Sequence, residues 1–403
     1  MNTPDWKSLQ AVLKEGEVAI EYVLSDSASC GALILLPQEK PYYIPLASPI
    51  KLWKDLALMN NKNALEKAED LYERDRLKLY EKLWKPLEEK LKGISTVFYS
   101  PTGFLNELAF SAFKCPDGTY LSDHYELHQM LSTGDLVLLR TNTEECLVKS
   151  ASLYGSVFYS PEHEQVAQSI TENHLRDKHR GAVEEEFDYL PFTKQEILQA
   201  EDIMQNSHVE TNSYTGFSST EESIRAISGH SPDILHLSTH GFFIKDDKGM
   251  MENIFLSRFP TMRFSRMQRS GLAFVGANRT WEGATDKPED SDGIITANEV
   301  ALLDLSHTRL AVLSACQTAV GDFSTEGVYG MHRGFKQAGV KSILASLWNV
   351  NDKSTARLMA LFYEKWLSGT PMQQSLNEAV RELRKEYPSP FYWAPFVLMD
   401  AEN

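Results

Sequence analysis

The hydrophobic residues form short apolar runs near the amino terminus and alternating strand-like and helix-like segments further along. Strands are predicted where β-branched and apolar residues cluster between turn signals: 17–24, 31–36, 96–100, 136–139, 155–159, 233–237, 310–314 and 341–347. Helices are predicted where apolar residues recur at helical spacing: 61–92 with a kink or break at Pro86, then 195–205, 220–227, 327–337, 352–367 and 371–387. Strands alternating with helices indicate an α/β fold with a mostly parallel central sheet.

A polar segment divides this pattern. Residues 161–190 are charged and poor in large aliphatic side chains, so we interpret them as an exposed linker or loop. The segment separates an amino-terminal half, 1–160, from a carboxy-terminal half, 191–403. Its histidines, His163, His174 and His179, suggest a metal site, but solvated charges flank them and no second cluster of ligands completes a set. No metal is expected.

Composition narrows the class of protein. The 403 residues are 42% hydrophobic and carry a formal charge of −16, which favours a packed core and disfavours direct nucleic-acid binding. The four cysteines have no CxxC spacing, so neither a disulfide framework nor a zinc site is predicted. The amino terminus does not resemble a signal peptide, and no apolar run reaches the roughly 18 residues that span a bilayer. The sequence therefore predicts a cytoplasmic protein without a membrane segment.

Two predicted strands end at reactive side chains. The run DILHLSTHG reaches His240, and the run LAVLSACQ reaches Cys316. Because ligands of α/β sheets gather at the carboxyl ends of parallel strands, we expect the two side chains to lie at one site. A thiol that attacks as a thiolate and an imidazole that moves its proton form a nucleophilic pair. Alone, each residue has a structural alternative: a buried small cysteine or a hydrogen-bonded histidine.

Two neighbours of His240 complete this interpretation. Gly241 has no side chain, so substrate can approach closely, and its backbone N–H is predicted to form an oxyanion hole with the N–H of Cys316. His236 shares the strand parity of His240 and is the competing base. We favour His240 because it occupies the strand end, and we expect His236 to pack or hydrogen-bond within the sheet.

Several segments together resemble the CHAT domain family of caspase-like, separase-related peptidases. They are HLSTHGFF, DGIITANEVALLDL, LAVLSACQTAVGD and GVYGMHRGFKQAGVKSILASLWNVND, in that order. The resemblance implies a caspase-like α/β/α sandwich, with a degenerate pseudo-caspase first half and an active second half. It implies that His240 is the general acid–base, that Cys316 is the nucleophile, and that peptide bonds are cleaved through a thioester without metal or organic cofactor. It also implies a bacterial origin and a regulatory protein or tetratricopeptide repeat domain as partner.

Specificity and activity remain open at this stage. The family's relatives often cleave after a basic residue, and the candidate pocket residues are Asp292, Gln317, Asp322 and Glu326. For the three acidic residues the alternative is a solvated loop charge or a cap, and Gln317, directly after Cys316, is neutral. The arginine-rich segment 242–270 is either a partner-sensing loop or a solvated insertion. The competing functions are a catalytically silent caspase-like scaffold or interaction module, and a thiol hydrolase or acyl transferase for other acyl substrates.

Overall fold

The chain folds into two compact units, described here from a computed structural model. One comprises Met1–Cys146 and Pro371–Asn403, and the other Leu147–Thr370. The structure describes residues 5–25, 29–46, 48–59, 62–141, 147–169, 186–244, 265–282, 292–315, 318–319, 321–324 and 327–401, with the backbone alone at 25, 29, 321–324 and 327–329. These borders differ from the predicted halves, because 147–160 belongs to the second unit and 371–403 to the first. The assignment of a degenerate and an active half stays a prediction.

The first unit contains a mixed sheet with strand order β3-β2-β1-β4-β5-β16. Its strands are β1 (Glu17–Ser25), β2 (Ser29–Leu35), β3 (Tyr42–Pro45), β4 (Thr96–Ser100), β5 (Glu126–Gln129) and β16 (Phe396–Met399). Its helices are α1 (Trp6–Val12), α2 (Pro49–Met59), α3 (Ala64–Ala68), α4 (Leu121–His124), α5 (Asp135–Thr141), α13 (Met372–Glu386) and α14 (Pro390–Trp393). β1 pairs parallel with β4 and antiparallel with β2. The strands predicted at 17–24, 31–36 and 96–100 are confirmed.

Two predictions for this unit are wrong. Residues 136–139 form part of α5 rather than a strand: Leu136 is buried while Leu138 is 49% exposed, and so short an apolar run fits either structure. The helix predicted at 61–92 is broken well before Pro86, since Asp75 and Lys78 have positive φ angles of 47° and 54°. What remains is α3, the π-helical turns Glu69–Glu73 and Tyr80–Trp84, and the 3-10 turn Lys85–Leu87.

The second unit contains a parallel sheet with strand order β15-β12-β8-β6-β7. Its strands are β6 (Ser150–Val157), β7 (Glu210–Gly216), β8 (Ile234–Leu237), β12 (Leu310–Leu313) and β15 (Ser342–Ser346). β8 and β12 are buried throughout, as expected for strands covered on both faces. This unit confirms the predicted mostly parallel sheet.

Helices and smaller sheets surround those strands. The helices are α6 (His163–Ser169), α7 (Pro191–Asn206), α8 (Glu221–Ala226), α9 (Ala277–Trp281), α10 (Ala297–Val300), α11 (Met331–Gln337) and α12 (Asp352–Leu367). The strands β9 (Gly241–Phe243), β10 (Ser270–Ala273) and β11 (Ile294–Thr296) form an antiparallel sheet, and β13 (Gly321–Ser324) pairs with β14 (Gly327–Gly330). The helix predicted at 327–337 therefore starts only at Met331, because residues 327–330 pair as a strand.

The carboxyl end of the predicted linker is largely buried, whereas residues 161–169 are mostly exposed apart from His163. Residues 170–185, with His174 and His179, lie outside the described residues. On either side of them, His163 on α6, Phe187 and Tyr189 are buried, because Phe187 joins an apolar cluster that includes Tyr159 and Trp281. In the described part of the chain, no helix is both long and apolar enough to cross a membrane.

Candidate active site

His240 lies just beyond β8, at the carboxyl end of the strand, and is fully buried. Its Nε2 is 2.7 Å from the backbone carbonyl oxygen of Asp188. Because a carbonyl oxygen only accepts hydrogen bonds, the proton must sit on Nε2. In the neutral ring the lone pair is then on Nδ1, so Nδ1 is the nitrogen that can take a proton from a thiol.

The Asp188 carbonyl is held in place by the residue before it. The side-chain amide of Asn278, on α9, accepts from the Phe187 N–H at 2.6 Å and donates to the Phe187 carbonyl at 3.0 Å. The rings of Tyr159 and Phe187 lie against the imidazole of His240, with centroid separations of 5.0 and 5.4 Å. The histidine is therefore fixed by a hydrogen bond and by aromatic packing.

His236, the competing base, is engaged through both ring nitrogens. Its Nδ1 is 2.8 Å from the hydroxyl of Tyr363, and its Nε2 is 3.0 Å from Oε1 of Glu196. All three side chains are buried, and burial together with Glu196 holds the pKa of Tyr363 well above its usual value. His236 is thus a hydrogen-bonded histidine of the core, with no nitrogen directed toward the site of His240.

Cys316 and Gln317 lie outside the described residues, but the residues beside them are anchored. The Ser346 hydroxyl, at the end of β15, donates to the Ala315 carbonyl. The Ser346 N–H donates to the Thr318 hydroxyl at 3.0 Å. Both sides of the predicted nucleophile are therefore attached to the same serine of the neighbouring strand.

The backbone of Gly241 is oriented by the antiparallel pairing of β9 with β10. The Ala273 N–H donates to the His240 carbonyl at 3.0 Å, and Gly241 pairs with Leu272. Hydrogen-bonded and non-hydrogen-bonded pairs alternate along an antiparallel ladder. The pair at 240 and 273 is hydrogen-bonded, so the N–H of Gly241 points away from β10, as an oxyanion donor requires.

Of the candidate pocket residues, Asp292 is the one whose side chain is described. Its Oδ1 accepts from the Ile294 N–H at 2.9 Å, and burial raises the pKa of its carboxyl group. Ile294 pairs with Ala273, the residue hydrogen-bonded to His240. Asp292 thus lies two residues before β11, which pairs with β10, and β10 in turn pairs with β9 directly after His240. Gln317 and Glu326 lie outside the described residues, as does the side chain of Asp322.

A second carboxylate supports Asp292. Glu221, at the start of α8, accepts from the N–H groups of Asp292 and Gly293, both at 3.2 Å. Arg225 donates to Glu221 at 2.8 Å and to Glu299 at 2.9 Å. Burial raises the pKa of Glu221 to about 7, although Arg225 opposes that shift. Glu221 and Glu299 therefore share the Arg225 guanidinium, which also acts electrostatically on Asp292.

One possible metal-ligand set occurs among the described residues, in the first unit. Cys115, Asp117 and His124 bring ligand atoms within 4.8 Å of one another. Burial, followed by Asp117, raises the pKa of the Cys115 thiol to about 12, which opposes the thiolate that a metal needs. His124 Nε2 already lies 2.6 Å from the Thr119 hydroxyl. These groups are satisfied by their neighbours, and the chemistry at His240 does not involve them.

Sequence reasoning missed Asp188, Asn278 and Glu196. Asp188 acts through its backbone carbonyl, which no side-chain pattern reveals. Asn278 lies in the segment SGLAFVGANRTW, where its polar amide among apolar residues was a usable signal. Glu196 occupies an apolar position of α7, where a buried carboxylate requires partners.

In the arginine-rich segment 242–270, residues 245–264 lie outside the described residues.

Comparisons with known proteins agree with this fold. A model of the CHAT domain family matches residues 74–401. Tetratricopeptide repeat protein 28 of Mus musculus is 31% identical over 123 residues, which make up 30% of this chain and 5% of that protein. The Saccharomyces cerevisiae separase–securin complex matches with a TM-score of 0.53 and 10% identity, over 98% of this chain and 31% of that chain. The Arg-specific cysteine proteinase gingipain R (RgpB) gives a TM-score of 0.44 and 8% identity, over 84% of this chain and 67% of that chain. The chain has a caspase-like α/β fold, and it spans under a third of the separase chain.

Proposed function

This chain belongs to the CHAT domain family, and from that premise we propose that it is a cysteine endopeptidase with His240 as acid–base and Cys316 as nucleophile. The observation that carries the proposal is the hydrogen bond from His240 Nε2 to the Asp188 carbonyl. It fixes the proton on Nε2 and leaves Nδ1 to accept the thiol proton. The alternative base, His236, has both nitrogens occupied by Tyr363 and Glu196.

The proposed reaction proceeds in two halves. Nδ1 of His240 takes the proton of the Cys316 thiol, and the thiolate attacks the carbonyl carbon of the scissile peptide bond. The N–H groups of Gly241 and Cys316 stabilise the oxyanion of the tetrahedral intermediate. The imidazolium then protonates the departing amine, which leaves a thioester. Water, deprotonated by Nδ1, hydrolyses the thioester and restores the thiol.

We further propose that Asp292 recognises a basic residue before the cleaved bond. Glu221 and Glu299 share the guanidinium of Arg225, and Asp292 interacts with the same group electrostatically, so among the described residues a substrate cation would balance the remaining carboxylate charge. Conversion of Asp292 to Asn should reduce kcat/KM for peptides with Arg or Lys at this position by about tenfold or more. An equal loss for apolar peptides would contradict this assignment.

Regulation by a protein partner is part of the proposal. The family relative from mouse is named for its tetratricopeptide repeats, and repeat domains offer extended concave surfaces for binding. We propose that a repeat-containing protein, or a repeat domain, controls access of substrate to His240 and Cys316.

The test is cleavage of a mixed peptide library by the wild-type chain, with and without candidate repeat proteins. Conversion of Cys316 to Ala or His240 to Ala should lower turnover by at least about a thousandfold. Conversion of Cys30 to Ala, a buried cysteine of the first unit, should leave turnover unchanged. Equal turnover in the Cys316 and Cys30 variants would contradict the assignment of the nucleophile. Absence of turnover under every condition would favour the silent scaffold.

A further inference from the structure

The two strand ends that carry His240 and Cys316 repeat one short pattern. Each strand ends at a leucine, which is followed by a serine, one small residue and then the reactive side chain: LSTH at 237–240 and LSAC at 313–316. β8 and β12 are parallel neighbours, and Leu237 pairs with Leu313. The same register relates Ser238 to Ser314 and, in the sequence, His240 to Cys316.

One buried carboxylate connects the two serines. Glu196, in the middle of α7, is 1% exposed. The hydroxyl of Ser238 donates to its Oε2 at 2.8 Å, and the hydroxyl of Ser314 donates to its Oε1 at 2.6 Å. Both serines are fully buried, so these hydrogen bonds are sheltered from water. The carboxylate forms a bridge between the ends of two strands.

His236 is a third hydrogen-bond partner of Glu196. The Tyr363 hydroxyl lies at Nδ1 of His236, and His236 Nε2 lies 3.0 Å from Oε1 of Glu196. If Tyr363 donates to Nδ1, His236 is neutral and donates through Nε2 to the carboxylate. Ser238, Ser314 and His236 then all donate to one anion, which offsets the cost of burying its charge.

We propose that Glu196 is a positioning residue, which bridges Ser238 and Ser314 and thereby sets the spacing of His240 and Cys316. Each serine precedes its reactive residue by two positions, and two residues span only about 6.6 Å of extended chain. Loss of the bridge would let either strand end shift, and small displacements between a nucleophile and its base are costly. This inference rests on the proposed function.

Five variants of the full chain, among them Glu196→Ala, test the bridge. Ser238→Ala and Ser314→Ala each remove one hydroxyl, and the double variant removes both. Glu196→Gln retains the oxygen that accepts from Ser314 and His236, and it turns an amide N–H₂ toward the Ser238 hydroxyl, which can accept. The matched control is Glu201→Gln, because Glu201 lies on the same helix and accepts from the Ser213 hydroxyl of β7 at 2.9 Å, away from β8 and β12.

The first measurement is the rate at which iodoacetamide alkylates Cys316 between pH 5 and 9, quantified by mass spectrometry of the Cys316 peptide. It needs no peptide substrate, and a thiolate paired with an imidazolium reacts at a lower pH than a free cysteine. We expect either serine variant to slow alkylation near pH 6 by about tenfold. The double variant should be no slower than either single variant, since both hydroxyls act through one carboxylate. Glu196→Gln should react faster than Glu196→Ala, and Glu201→Gln should match wild type.

The second measurement is the free energy of unfolding of the wild type, the two single serine variants and the double variant. This double-mutant cycle detects the bridge whether or not Cys316 is reactive. Additive effects of the two serine variants on unfolding would overturn the bridge itself. The positioning role would be overturned if the effects of the two serine variants on unfolding are coupled, Cys316 of the wild type is activated, and the variants alkylate as fast as the wild type. A wild-type Cys316 that titrates as an ordinary cysteine would contradict the proposed function, and the positioning role with it.

Discussion

At the scale of single residues, the tautomer of His240 depends on an amide that touches neither substrate nor thiol. Asn278 holds Phe187 through both its oxygen and its nitrogen, and the next carbonyl, that of Asp188, accepts from His240 Nε2. A carbonyl displaced from this position would no longer enforce the proton on Nε2. The base would then exchange between tautomers, and part of the population could not accept the thiol proton.

We therefore expect Asn278→Ala to lower kcat by about tenfold with little change in KM, because two hydrogen bonds that orient the base are lost. Ring ¹⁵N shifts of labelled histidine should show His240 moving from the Nε2–H tautomer toward a mixture. The control is Asn106→Ala in the first unit, where Asn106 donates to the Pro101 and Gly103 carbonyls at 3.1 Å. Unchanged His240 shifts in Asn278→Ala would contradict the positioning role.

At this scale the sequence could predict which residues react, but it could not predict which groups hold them in place. His240 and Cys316 could be chosen because apolar strands ended at them. The carbonyl of Asp188 could not, because a backbone acceptor leaves no trace in side-chain chemistry. Its segment was taken as exposed linker, although Phe187 and Tyr189 were aromatic residues that required a partner.

At the scale of secondary structure elements, β15 supports the segment that carries the predicted nucleophile. Ser346, its last residue, donates through its hydroxyl to the Ala315 carbonyl and through its N–H to the Thr318 hydroxyl. The Ala319 N–H donates back to the Ser346 carbonyl at 2.8 Å. A single strand end thus holds the backbone on both sides of Cys316 and Gln317.

Ser346→Ala is expected to destabilise the fold by about 1 kcal/mol and to slow alkylation of Cys316 by about fivefold, because the Ala315 carbonyl loses its donor. Chemical denaturation and the alkylation assay measure the two effects. Ser207→Ala is the matched control, since Ser207 donates to the Ile203 carbonyl at 2.9 Å at the end of α7. The assignment fails if both variants slow alkylation to the same extent.

The elements that were predicted wrongly depend on distant partners. Residues 327–330 form a strand because 321–324 lie antiparallel to them, and helical periodicity read along the sequence does not include that pairing. Residues 136–139 form a helix because Leu136 packs with Leu9, Leu13 and Met130. By contrast, α12 was predicted correctly at 352–367, since the Asn351 cap and Gly369 are local signals.

At the scale of the whole molecule, burial of titratable groups makes stability depend on pH. His332, on α11, is 2% exposed, and burial lowers its pKa to about 4 despite a hydrogen bond to the Thr318 backbone. Between about pH 6.5 and 4 the unfolded chain binds more protons than the folded one, so the free energy of unfolding falls as pH falls. The full loss amounts to about 3 kcal/mol.

His332→Leu should therefore show a shallower loss of stability between pH 6.5 and 4 than wild type, even if it is less stable at pH 7. Urea denaturation at several pH values gives the comparison. His307→Leu, at an exposed site, should keep the wild-type slope. Parallel curves for wild type and His332→Leu would show that His332 is not responsible for the slope.

Glu221 produces the opposite dependence in the same unit. Burial raises its pKa to about 7, whereas an unfolded glutamate titrates near 4.5, so the folded chain binds more protons between those values. The free energy of unfolding therefore falls as pH rises from 4.5 to 7, by up to about 3 kcal/mol. The same carboxyl group accepts from the N–H groups of Asp292 and Gly293, beside the pocket proposed for a basic side chain.

Glu221→Gln keeps an acceptor for those N–H groups and removes the buried charge. The variant should be more stable than wild type at pH 8, and this advantage should shrink or reverse at pH 5, where the wild-type carboxyl is neutral. Denaturation at the two pH values tests the crossing, with Glu222→Gln as the control because Glu222 is the exposed neighbour on α8. A constant difference between Glu221→Gln and wild type at both pH values would mean that ionisation of Glu221 does not limit stability.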